Sequence, residues 1–124
     1  MKPLKTLLCN SLMVCVTLIG SQALAADASG NHGTVGAASC AVFLQEHESK
    51  SSRSTALLGW LAGYITAYNR QTPNTYQILG NSDLLGAELW VKNFCEKNPL
   101  ANISLAAAVL VIELHPARQI KAPN

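Results

Sequence analysis

Charge is what this sequence has least of. Only 13% of its 124 residues are Asp, Glu, Lys or Arg, and none falls between Thr55 and Asn69 or between Leu100 and Ile112. No basic cluster of the kind that nucleic-acid binding or attraction to an acidic membrane surface requires is present. The three histidines are scattered and there is no H-x-x-x-H or C-x-x-C pair, so no metal site can be assembled and no cofactor is expected. Strand-type alternation, internal repeats and low-complexity runs are also missing. The uncharged runs reach about fifteen residues, short of the roughly 18 needed to span a bilayer, which argues against stable membrane insertion.

What is present begins with an export pattern. "MKPLK" gives a positive start, "TLLCNSLMVCVTLIG" an apolar run, and "SQALAAD" an A-x-A site ending at Ala25. Residues 1–25 read as a cleaved secretory signal peptide and not as an anchor, because Asn10 and Ser11 interrupt the run and small residues follow it. The chain is therefore expected in a bacterial periplasm or outside the cell. Beyond Ala25, enough residues remain for one small domain, whose seven Lys and Arg balance seven Asp and Glu. Cys9 and Cys15 leave with the leader. Cys40 and Cys95 remain in an oxidising compartment, where one disulfide is the simplest expectation. No lipobox precedes Cys9 or Cys15, and nothing else in the sequence signals a nucleophilic or metal-binding cysteine.

Residues 26–38, rich in Gly, Ser and Ala and carrying His32, read as a flexible arm. Residues 39–116 follow as a helical domain and 117–124 as a tail. Ser39 caps a first short helix, in which Cys40, Val42 and Phe43 are apolar while Glu46 and Glu48 face water. A second helix runs from about Thr55 to Asn69. Its bulky side holds Leu57, Trp60, Leu61, Tyr64, Ile65 and Tyr68, and a ridge of small residues, Ala56, Gly59, Gly63 and Ala67, lies beside it. Turn formers follow, surrounding Tyr76, Ile78 and Leu79. Asn81 or Ser82 then caps a third helix bearing Leu84, Ala87, Trp90, Val91 and Phe94. Asn98 and Pro99 read as N-cap and first position of a fourth helix that ends before Pro116. The fold class is all-α, a small four-helix domain with one disulfide.

No catalytic constellation emerges. His47 cannot face its sequence neighbours Glu46 and Glu48, and reads as a surface residue. His115 suits a helix C-terminus, where a cation complements the macrodipole. "NIS" at 102–104 matches a glycosylation acceptor at a buried-looking helix start. The chain is thus expected not to be an enzyme. Two helices without charge must be covered on nearly all sides, by the other helices, by a second copy in a homodimer, or by a protein partner. Trp60, Gly63, Tyr64, Tyr68, Trp90 and Phe94 are the candidate core or partner-binding residues.

The succession "SCAVFL", "GWLAGYITAYN" and "NFCEKNPL" leading into a last apolar helix resembles the HdeA/HdeB-like family of small periplasmic proteins. Across residues 39 to about 114 that resemblance implies a helical fold stapled by Cys40 and Cys95. It also implies an acid-stress chaperone, a holdase that is dimeric at neutral pH and exposes apolar surface in acid. The small number of carboxylates gives acid less to act on here. A second, slighter similarity is to Tai-like immunity proteins, which implies an inhibitor of a secreted cell-wall amidase.

Overall fold

Four side-chain caps set the starts of four helices. In the computed structural model, which describes residues 27–29 and 31–123, Ser39, Ser51, Asp83 and Asn102 each accept a hydrogen bond from the backbone N–H three residues on. The helices they open are α1 (Cys40–Ser49), α2 (Ser52–Gln71), α3 (Leu84–Lys97) and α4 (Ile103–Leu114), followed by one 3-10 turn at His115–Ala117. No strand occurs among the described residues, only the isolated bridges Ser39 with Asn102 and Gln77 with Gln119. The domain is all-α, as expected. The expected signal peptide, with Cys9 and Cys15, lies outside the described residues.

Several boundaries differ from the sequence expectation, each for a local reason. Helix α2 starts three residues before Thr55, because Lys50 closes α1 in the left-handed region (φ 50°) and Ser51 at once caps the next helix. Glu46, expected in water, is half-buried and holds the Ser51 hydroxyl at that corner. Asp83 caps α3 in place of Asn81 or Ser82. Asn98 does not open α4. Its backbone N–H bonds to Phe94 O and Cys95 O and its amide to Phe94 O, so it ends α3. Pro99 and Leu100 form a turn, and Asn102 Oδ1 accepts from Leu105 N to start α4 four residues later than the Asn98–Pro99 pair suggests.

Helix α3 packs on α1 and α4, and α2 packs on the same two helices. Cys40 and Cys95 are joined and fully buried, tying α1 to α3. Around them Phe43, Leu61, Ile65, Val91, Ile103 and Leu110 form a single core. The start of α4 is stitched to the segment before α1, with Cys40 N donating to Ala101 O and Ile103 N to Ala38 O. That segment is no free arm at Val35–Ala38. Trp60 Nε1 donates to Val35 O at 2.6 Å, and Gly36 (φ +81°) lies so close to the Trp60 ring that a side chain there would press on it. Arg118 and Gln119, beyond Pro116, are likewise tied down. Gln119 exchanges backbone bonds with Gln77, and the Arg118 guanidinium donates to Asn74 O and His115 O.

Candidate protein-binding face

Helix α4 is both the best-buried element and the source of an open apolar surface. Ile103, Ala106, Ala107, Leu110 and Val111 are each 2% exposed or less. Leu105 and Ile112, seven residues apart and so on one line of the opposite side, are 51% and 70% exposed. Ala108 and Val109 sit half-buried between them, and Leu100 projects fully from the turn before the helix. No charge interrupts this line.

Aromatic side chains stand on both flanks. On α2, Trp60 and Tyr64 stack with centroids 5.6 Å apart, and Tyr68 OH is hydrogen-bonded to His115 Nδ1 at 3.1 Å. Trp60 lies by the segment that stitches to the start of α4 and Tyr68 touches its end, so the three rings run alongside it. On α3, Trp90 and Phe94 stack at 5.7 Å and share with Glu113 of α4 the lining of a cavity of about 300 Å³. His115, placed by the sequence near the end of the fourth helix, is the C-cap of α4, and its ring is also hydrogen-bonded to Tyr68. Burial pushes the Tyr64 phenol above its ordinary pKa, and the nearby Tyr68 adds to the effect.

A folded-state value above the unfolded one means the native state holds the proton more tightly. The corresponding stability is fully present below about pH 10, the ordinary tyrosine value, and is lost as pH rises through the raised folded value. Urea denaturation between about pH 9 and 11.5 is expected to show a steeper loss for the wild type than for Tyr64→Phe. Parallel curves would assign the alkaline loss to other groups.

Of the residues singled out in the sequence, Trp60, Tyr64, Tyr68, Trp90 and Phe94 are half-buried and gathered on the two flanks of α4. Gly63 is not with them. It is exposed on the outer side of α2 together with Ala56, Gly59 and Ala67, so the small ridge is not a close helix–helix contact and the helix is not covered all round. The bulky side makes the contact because Leu57, Leu61 and Ile65 remove far more apolar area from water than glycine can. Leu105 and Ile112 were missed as exposed positions. Their seven-residue spacing was legible, but nothing local in an all-apolar helix says which line faces out.

Away from this face, His47 Nδ1 meets Glu88 Oε1 at 3.1 Å, joining α1 to α3, with the His47 ring stacked on Phe43. His47 is therefore not the plain surface residue expected, and its partner lies 41 positions away. Among the described residues no three His, Cys, Asp or Glu side chains gather as metal ligands, and no helix is long and apolar enough to cross a membrane.

No protein-family model, curated protein or solved structure matches the chain. What the face offers is an exposed apolar line, Leu105 and Ile112, with stacked aromatic pairs on the two neighbouring helices.

Proposed function

We propose that the chain is an exported, non-enzymatic protein-binding domain that holds apolar surface of other polypeptides on its α4 face, the holdase role of the HdeA-like proteins its motifs resemble. The exposure of Leu105 and Ile112 between two stacked aromatic pairs carries this reading. Because the face is open in the folded domain, capture does not wait for acid to unfold it. A second copy of the chain occupies the face when no client is present, giving a homodimer.

The test is suppression of aggregation of an unfolding client, measured by light scattering at neutral pH and again near pH 3. The double variant Leu105→Glu/Ile112→Glu changes exposed positions, where a substitution shifts stability by about 0.5 kcal/mol or less. It is expected to keep its helical spectrum and need at least ~10-fold more protein for the same suppression, a change of about 1.4 kcal/mol in binding. A variant that folds and suppresses as well as the wild type would remove the α4 face from the function.

One observation favours a second reading, an immunity protein that inhibits a secreted cell-wall amidase. The face sits on helices stapled by a disulfide, and a rigid surface loses little entropy on meeting one matched partner. That reading requires a one-to-one complex and loss of amidase activity at stoichiometric inhibitor, which a holdase does not give.

A further inference from the structure

We propose that the cleft between the C-terminal end of α3 and helix α4 binds a zwitterionic amino-acid unit, an ammonium and a carboxylate carried close together beside an apolar body. The cleft shares Trp90 and Phe94 with the border of the α4 face but does not depend on what that face binds.

Its lining is Trp90, Asn93, Phe94, Lys97, Asn98 and Glu113, around a cavity of about 300 Å³. That volume is at the lower end of small-molecule sites, room for one amino-acid unit and too little for a nucleotide cofactor. Trp90 and Phe94 stack within 17° of parallel and supply the aromatic part of the lining. Lys97 comes from α3 and Glu113 from α4, and the two are not joined. The ion pairs among the described residues are His47–Glu88, Arg53–Glu46 and Lys92–Glu96, so Lys97 and Glu113 line one cleft as opposite charges, each without a partner.

A guest is selected by what it leaves unpaired. An anion would meet Lys97 but face the Glu113 carboxylate, and a cation would meet Glu113 but face Lys97. An apolar guest would strip water from both charges and return nothing. A zwitterion satisfies both, its ammonium on Glu113 and its carboxylate on Lys97, each as a charge-assisted hydrogen bond. Its side chain then lies against Trp90 and Phe94. Asn98 has given its amide N–H to Phe94 O, which leaves its Oδ1 as a further acceptor for the ammonium.

Two sources carry this chemistry: a free amino acid, or a polypeptide presenting adjacent side chains of opposite charge. The experiment follows the indole N–H signal of Trp90 in ¹⁵N-labelled protein, distinguished from that of Trp60 with Trp90→Phe. At about pH 6, where α-amino groups are protonated, the protein is titrated with phenylalanine, N-acetylphenylalanine, phenylalanine amide and a capped Lys-Phe-Glu peptide. Saturable shifts ~3-fold tighter for phenylalanine than for its acetyl or amide form are expected, the worth of one charge pair at exposed positions. Tighter binding of the capped peptide instead would keep the charge pairing and name a polypeptide as its source. Lys97→Gln should erase the preference over the amide, and Glu113→Gln the preference over the acetyl form. Both positions are exposed, so neither variant threatens the fold. Equal responses to all four probes, non-saturating shifts, or preferences untouched by both variants would overturn the assignment.

Discussion

Replacing Cys40 and Cys95 together by alanine, or reducing the wild type, is expected to lower the unfolding free energy by about 4 kcal/mol. The bridge joins residues 55 positions apart, and closing a loop of that length removes much of the freedom of the unfolded chain. Domains of this kind have only about 5–15 kcal/mol in total, so the loss takes the protein close to its folding limit. Both sulfurs are fully buried at the α1–α3 contact. The Ala variant therefore also leaves an underfilled core, which reduction does not, so it is expected to lose about 1 kcal/mol more than the reduced protein. The other polar tie between these helices, His47 with Glu88, is partly exposed and cannot replace the bridge. Urea midpoints of the oxidised, reduced and double-Ala forms measure this directly. A loss under about 1 kcal/mol would mean that packing alone fixes α1 on α3 and that the cross-link is dispensable.

How far such features are legible in the sequence depends on whether their cause is local. The helices were legible because their signals are: Ser39 before an apolar helix, a 3.6-residue pattern in α2, and Pro116 beyond α4. The cysteine pairing was legible by counting. Asn98–Pro99 misled because an Asn before Pro reads as a helix start, while the same Asn can end the preceding helix, and only the bonds to Phe94 O and Cys95 O decide. The aromatic members of the candidate site were found as large residues on helical faces. Their gathering around α4 was not, since it depends on contacts such as Tyr68 with His115, 47 positions apart. Nor could the sequence separate the two sides of α4. With a nearly uniform apolar composition there is no moment to orient the helix, and the choice between Leu110 inside and Ile112 outside is made by neighbouring helices.

The loop between α2 and α3 is the sharpest case of a non-local cause, and it carries the second large effect. Ile78→Ala is expected to cost about 3 kcal/mol, within the range for emptying a fully buried aliphatic site, although Ile78 belongs to no helix. Its side chain is completely buried and its N–H donates to Asn69 Oδ1 at 2.9 Å. The cost of a cavity depends on how far its walls can collapse, and here they are held from the outside. Tyr76 N donates to Gln119 O, Gln119 N to Gln77 O, and the Gln119 amide to Gly80 O, so the C-terminal segment clamps the loop from 76 to 80. Gly80, at φ +60°, sits so near Ala117 O that even a methyl group would crowd it, which fixes the closing bend. Tyr76, two residues away and half exposed, is the internal control: Tyr76→Ala removes a larger side chain but is expected to cost under about 1 kcal/mol, because its ring is not part of the core. Equilibrium urea unfolding of the two variants should therefore rank them opposite to the size of the group deleted. If both cost the same, the loop is a surface connection and the core ends with the helices.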